Sequence, residues 1–332
     1  MSGSLRIGVI GATGALGGQV LELLSESSLD IAELLPVATE RSLGSEVEFR
    51  GNTLAVETQA PKLRGLDCVF LCTPSEVSRD FVREALKLEV LCIDAGGAMA
   101  GVPEAPLRVA AFGGAGERAP LLVAPPGAAL VLALALRPLE EAAGLRRVVG
   151  TCLEAASWGG REGIESLFNE SIALFNQEEA PEPGIFAQPV AFDCVPALGE
   201  IDAAGVSQRE FEMATSLSRL LAAEPRLALS FVQVPIFMGF GASLAVETER
   251  PLDPALAEGH LGQAPGIERW DGFADGVTLR AAAGREVALV GRVRRDPSSP
   301  ENGLLLWVAA DVLRLAAANA VQLAVRQLSP VH

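Results

Sequence analysis

The 332-residue sequence has no tyrosine and only two histidines, His260 and His332. Histidine is the side chain that ordinarily titrates near neutrality, so few groups here are suited to moving a proton at that pH. Basic charge is also scarce: 26 lysines and arginines against 42 acidic residues leave a net charge of −16. Nucleic acid and anionic membranes both attract basic surfaces, so neither is expected as a partner. No long apolar run is present. The most apolar stretch, residues 128–136, is far too short to cross a bilayer and reads as a buried helix. No basic flank, apolar core and cleavage site open the chain, so no signal peptide is expected. The five cysteines, Cys68, Cys72, Cys92, Cys152 and Cys194, are an odd number without metal-type clustering. Cys68 and Cys72 share an apolar strand-like run. The expectation is reduced, mostly buried thiols in a cytoplasmic protein, with no metal site.

Against these absences stand 49% hydrophobic residues and enough length for two domains with cores of their own. The chain is organised around Leu5-Arg-Ile-Gly-Val-Ile-Gly-Ala-Thr-Gly-Ala-Leu-Gly17-Gly-Gln-Val. Ile7, Val9 and Ile10 form a strand-like run, Gly8, Gly11, Gly14 and Gly17 recur at every third place, and a helical period follows from Val20. A strand, a glycine turn and a helix in that order suit a dinucleotide, because the backbone approaches a pyrophosphate closely and the helix N-terminus offers N–H donors. The spacing departs from G-x-G-x-x-G. A glycine turn that merely packs a helix on a sheet is the alternative.

Residues 5 to about 125 alternate strand and helix patterns: strands at 6–10, 31–37, 68–72, 91–93 and 121–123, helices at 17–25 and 75–88. Such alternation predicts βαβ units and a mostly parallel sheet. After the second strand, Thr39, Arg41 and Ser42 stand where an adenosine ribose would lie; Arg41 suits a 2′-phosphate. Glu40 beside it leaves a solvated loop as the other reading. From about residue 146 the texture changes. Strands are predicted at 147–154, 227–237, 241–247, 277–281 and 286–295, and helices at 160–177 and 207–221. Phe168, Ile172 and Phe175 fall at helical spacing, and 178–184 reads as a loop. This pattern predicts an α+β second domain with an open sheet. A final helix, 309–327, is apolar over one broad face and must be buried against another element.

Six stretches, in order along nearly the whole chain, carry a resemblance. Gly11-Ala-Thr-Gly-Ala-Leu-Gly17 is similar to a GATGxxG signature and Arg41-Ser42-x-Gly44 to an RSAG loop. Leu134-Ala-Leu-Arg-Pro-Leu139 resembles the helix after an active-site cysteine, and Ser157-Trp-Gly-Gly-Arg-Glu-Gly-Ile-Glu-Ser-Leu167 an S-G-x-G-x-E-G segment. Val234-Pro-Ile-Phe-x-Gly239 resembles an R-V-P-V strand, and the run from Asp311 through Asn319 a closing D-N-L-R helix. The family is that of aspartate-semialdehyde dehydrogenase. The resemblance implies a Rossmann domain of residues 1–125 plus 309–330, an α+β dimerisation and substrate domain of residues 126–308, and a last helix packed back on the first domain. It implies a homodimer and an NADP site made by Gly11, Thr13, Gly14, Ala15, Leu16, Gly17, Thr39, Arg41 and Ser42.

Enzymes of this family need a thiolate to attack the aldehyde and form a thiohemiacetal that yields hydride to NADP, after which phosphate releases the acyl group. The resemblance places their cysteine at Gly127, their orienting glutamine at Glu154, and their histidine at Phe240. It places their substrate arginines at Gln233 and Ala100, their glutamate–lysine pair at Arg209 and Glu212, and a nicotinamide-side asparagine at Val312. No catalytic residue is therefore assigned. The expectation is a catalytically degenerate homologue similar to the Usg-like paralogues that lack the cysteine. Its pocket, with Phe240, Trp158 and Gly127, is either more apolar or simply filled as core. Cys152 as a relocated nucleophile is disfavoured, and His260 reads as a helix-end surface residue. Two alternatives remain: an active NADP-dependent oxidoreductase acting on an aldehyde or oxo group of another substrate, with Glu154 as a buried acid, or an NADP-sensing binding protein.

Overall fold

The computed structural model describes residues 4–58, 63–113, 119–179, 184–222, 224–270 and 277–329. The chain divides into two compact units, residues 1–130 with 316–332, and residues 131–315.

In the first unit, β1 (Leu5–Ile10), α1 (Ala15–Glu26), β2 (Ile31–Val37), the hairpin β3 (Glu46–Phe49) and β4 (Asn52–Ala55), β5 (Cys68–Leu71), α2 (Ser75–Lys87), β6 (Leu91–Asp94) and β7 (Leu121–Val123) follow in order. The main sheet runs β2-β1-β5-β6-β7 with every pair parallel. Short, uniformly apolar strands suit a sheet covered on both faces: Cys68, Val69, Phe70 and Leu71 are all fully buried. The strand order reverses between β1 and β5, and that is where an open α/β sheet opens a crevice at its C-terminal edge. The chain leaves the unit in α3 (Gly127–Ala143), whose residues 128–136 are buried as expected.

The second unit contains β8 (Leu145–Glu154), α4 (Gly160–Phe175), α5 (Gln208–Leu220), β9 (Arg226–Gln233), β10 (Phe240–Thr248), α6 (Pro254–Gln263), β11 (Ile267–Arg269), α7 (Leu279–Ala282), β12 (Ala288–Arg295) and β13 (Gly303–Ala310). Its sheet is mixed, in the order β11-β12-β13-β10-β8-β9. Two expectations need correction here. Residues 277–281 are not a strand, because Thr278 caps a helical turn by accepting from the Ala281 N–H at 3.1 Å. Residues 303–310, read only in part and as the start of a helix, form the central strand β13, paired on both sides. An uninterrupted apolar run does not declare its period when both faces are buried.

The last helix, α8 (Val312–Leu328), starts under a cap from Asp311, whose Oδ1 accepts from the Arg314 N–H at 3.1 Å. Beyond residue 315, Ala317, Ala320, Val321 and Ala324 pack into the core of the first unit beside Ile7, Val9 and Leu24. The broad apolar face of the final helix is buried as its pattern required. Asn319 in that helix accepts from the Ala110 N–H at 2.7 Å and donates to the Arg108 carbonyl at 3.2 Å. It thereby ties the segment before β7 to the helix.

Candidate functional site

At the C-terminal end of β1, Gly11 has φ +86°, a left-handed conformation open chiefly to glycine. A Cβ there would lie 2.6 Å from the Cys72 carbonyl at the end of β5. At Gly17 a Cβ would lie 2.0 Å from the Gly11 carbonyl, so the start of α1 rests directly on the turn. Helix α1 begins at Gly14 without a side-chain cap, which leaves the N–H groups of its first turn to receive an anion. The residues expected to meet the ribose sit on a short helical turn after β2, Glu40–Ser42. Thr13 Oγ and Ser42 Oγ are 2.9 Å apart, so the glycine turn and the Thr39–Arg41–Ser42 segment are brought together. The residues present thus fit a dinucleotide: a turn in which a Cβ at Gly11 or Gly17 would meet backbone, and a helix terminus free of a side-chain cap. Thr73, whose methyl would be 3.0 Å from a Cβ on Gly11, also borders this crevice. Its only sequence signal is its place just beyond β5, at the switch of strand order.

Asp94 ends β6 in the same unit and is fully buried; its two carboxylate oxygens accept from the Ala98 N–H at 3.1 Å and the Met99 N–H at 2.7 Å. Desolvation outweighs these bonds and raises its pKa from 3.8 to about 6. The folded state therefore binds this proton more tightly than the unfolded chain does. The resulting stability is complete below the unfolded value and is lost as pH rises through about 6. At about 1.4 kcal/mol per pH unit between the two values, the loss is about 3 kcal/mol. Urea unfolding of the wild type relative to Asp94→Asn across this range is expected to show it; a constant difference between the two proteins would refute it.

In the second unit three functional-site candidates meet at one edge of the sheet. Glu154, the last residue of β8, is in register with Gln233 on β9 and with Phe240 on β10. All three are essentially inaccessible. Arg209, in the first turn of α5, places Nη2 at 2.5 Å and Nε at 2.9 Å from Glu154 Oε1. Its guanidinium also faces the rings of Trp158 and Phe231, each with its centroid 5.8 Å away. A cation in the first turn opposes the helix dipole, and Glu154 offsets it. The helix itself is fixed by a capping box in which Ser207 Oγ accepts from the Glu210 N–H and Glu210 accepts from the Ser207 N–H.

This arrangement changes one expectation: Glu154 is not a lone buried acid but the partner of Arg209, whereas Glu212 accepts from Gln208 at 2.9 Å. Replacing Glu154 by a neutral side chain would strand a buried guanidinium. Opposite charges at two positions where the family pattern has a glutamine and a glutamate were the available signal for this pairing. Cys152, two residues upstream, is buried among strands, and desolvation, with Glu154 adding to it, pushes its thiol well above the usual range. A thiol held protonated is a poor nucleophile. His260 is exposed near the end of α6, as expected, whereas His332 and part of the 178–184 loop lie outside the described residues.

The family model described as "Semialdehyde dehydrogenase, NAD binding domain" matches residues 6–114, and that described as "Semialdehyde dehydrogenase, dimerisation domain" matches residues 136–315. Aspartate-semialdehyde dehydrogenase 2 of Vibrio cholerae is 31% identical, with 98% of each chain covered. The chain belongs to the aspartate-semialdehyde dehydrogenase family. A USG-1 protein homolog of Azotobacter vinelandii is 32% identical over 98% of both chains. Among solved structures, that of aspartate semialdehyde dehydrogenase II from Vibrio cholerae complexed with ASA is similar at a TM-score of 0.90, with 29% identity and 98% of each chain covered. The parallel N-terminal sheet and mixed C-terminal sheet are thus those of this aspartate-semialdehyde dehydrogenase family, and the nicotinamide-dinucleotide domain is present.

Proposed function

We propose that this protein is a catalytically degenerate aspartate-semialdehyde dehydrogenase homologue that binds NADP(H) and forms a homodimer without phosphate-dependent aldehyde oxidoreduction. The observation that carries this reading is Glu154 locked to Arg209 beside Phe240 and Gln233. In the family pattern that sheet edge supplies an uncharged glutamine, a histidine and an arginine. Gly127, placed by that pattern at the cysteine, opens α3 with no nucleophile. Groups that act as a unit lose their effect together, so these absences remove many orders of magnitude in rate.

The parts ascribed to the cofactor are residues 1–125 with 309–330, and the parts ascribed to dimerisation are 126–308. The first turn of α1, with Gly11, Thr13, Gly14, Ala15, Leu16 and Gly17, receives the pyrophosphate, while Thr39, Arg41 and Ser42 hold the ribose and its 2′-phosphate. NADP, when bound, supplies a hydride acceptor; the chain's own residues bind and orient it. Fluorescence titration with NADPH is expected to saturate, whereas a mixture of aspartate semialdehyde, phosphate and NADP is expected to give no reduction above buffer. Reduction at ordinary enzyme rates would overturn the reading, and absence of NADPH binding would remove its nucleotide part.

The dimer reading rests on α4. Leu167, Glu170 and Ala173 face inward, while Phe168, Ile172 and Phe175 form an exposed stripe in which Phe175 is 76% accessible. Phe192 meets Phe175 edge-on with centroids 5.5 Å apart and extends the stripe. An exposed apolar band of this kind is a surface that association covers. Phe168→Glu/Phe175→Glu is expected to sediment as a monomer at concentrations where the wild type is a dimer. An unchanged sedimentation profile would place the contact elsewhere.

A further inference from the structure

Within the first unit, the segment after β6 borders the nucleotide crevice on the side away from the Thr39–Arg41–Ser42 turn. Gly96 is exposed there, and a Cβ on it would lie 3.8 Å from the Leu16 side chain in the first turn of α1 and 3.8 Å from the Thr73 carbonyl beyond β5. Nothing beyond its own chain neighbours lies nearer, so the Gly96 backbone faces the opening between those two residues. Gly97 takes up the other side. Its φ is +70°, and a Cβ there would lie 2.9 Å from both the Ala124 carbonyl and the Pro126 nitrogen, just ahead of α3. The segment is thus wedged between the crevice and the start of α3, with backbone rather than side chains at both contacts.

Asp94 is what holds it. The buried carboxylate accepts from the Ala98 and Met99 N–H groups at 3.1 and 2.7 Å, and the N–H groups of Gly97 and Gly96 also favour its charge. These partners all lie within the five residues that follow it. The titratable groups beside it are the thiols of Cys72 and Cys92, both pushed up by burial. Neither β7 nor residues 124–130 contain an ionisable side chain. A carboxylate buried without a counter-charge is costly. Here its charge serves a single loop.

We propose that Asp94 is a positioning residue for the nicotinamide half of the bound dinucleotide, acting through the backbone of Gly96 and Gly97. With the adenosine ribose held after β2, the other half of a dinucleotide crosses the switch of strand order toward β5 and β6. That path leads to Gly96, where a side chain would stand in the opening. The inference rests on the nucleotide reading above and divides its crevice in two. The glycine turn and Arg41 hold one half of the cofactor, and the loop fixed by Asp94 orients the other.

NADPH and adenosine 2′,5′-bisphosphate separate these halves, because the second lacks the nicotinamide nucleotide. Titrations of the full chain are made above the raised Asp94 pKa of about 6, where its carboxylate is ionised. Asp94→Asn keeps the shape but turns an amide N–H toward the loop's own donors. It is expected to weaken NADPH about ten-fold, as one lost hydrogen bond to a charged group implies, and to leave adenosine 2′,5′-bisphosphate unchanged. The emission of NADPH bound to this variant should return to that of the free cofactor, as a nicotinamide that is no longer held would. Gly96→Ala, whose methyl meets nothing nearer than 3.8 Å, is expected to divide the two ligands in the same way with the fold intact. It decides the matter should Asp94→Asn not fold. Equal weakening of both ligands by either variant, or unchanged NADPH affinity in either, would overturn the proposal. A wild type that binds neither ligand would overturn the nucleotide reading and this inference together. One that binds both, with variants that do not divide them, overturns this inference alone.

Discussion

Arg209→Met is expected to destabilise the protein by about 3–5 kcal/mol, the largest effect of any single substitution argued from this fold. The guanidinium is nine-tenths buried and holds a carboxylate with almost no solvent access. Removing it leaves the buried Glu154 carboxylate without the two donors that Arg209 supplies to Oε1. The reverse substitution, Glu154→Leu, strands Arg209 in the same way. Removing both charges is a different matter: in Glu154→Leu/Arg209→Met neither ion is left uncompensated, and methionine packs well against the aromatic rings. The double variant should return to within about 1 kcal/mol of the wild type, because the desolvation cost of a buried pair nearly cancels its attraction. Urea unfolding of the four proteins completes the cycle. If the two single losses simply add in the double variant, the pair is not coupled and this account of the site fails.

Gly17→Ala is expected to lower NADPH affinity by about 100-fold, as losing two charge-assisted hydrogen bonds would, and to reduce stability by about 2–3 kcal/mol. The new methyl would stand 2.0 Å from the Gly11 carbonyl and 2.9 Å from Ala12 Cα, both backbone, so the turn or α1 must move. Any such movement displaces the N–H donors of the first turn from a bound pyrophosphate. Gly18→Ala provides the control one residue away. Nothing lies within 4 Å of its prospective Cβ, and the position is an exposed helical one. There, alanine should stabilise by up to about 1 kcal/mol and leave NADPH binding unchanged. Equal effects of the two variants on affinity would mean that Gly17 acts through helix propensity rather than through contact with the turn.

The chemistry that remains open to the sheet edge of the second unit follows from the same pair. The carboxylate paired with a buried guanidinium fixes β8 against α5. Cys152, buried with its thiol raised above the usual range, is a poor nucleophile.

The sequence by itself determined the parallel sheet of the first unit, because short β-rich runs separated by helical periods admit few other arrangements. It also determined the glycine turn, since a side chain at Gly11 or Gly17 would run into backbone. Other features depended on neighbours distant in sequence. The strand β13 was hidden because an apolar run buried on both faces has no period to read, and only its pairing with β10 and β12 defines it. The stripe of Phe168, Ile172 and Phe175 revealed a helix, but which side of that helix faces inward was set by the packing around Leu167 and Ala173. The meeting of Glu154 with Arg209, 55 residues apart, was decided by tertiary structure alone. Charge signs can be counted along a chain, but whether two of them share one low-dielectric space depends on the fold that brings them there.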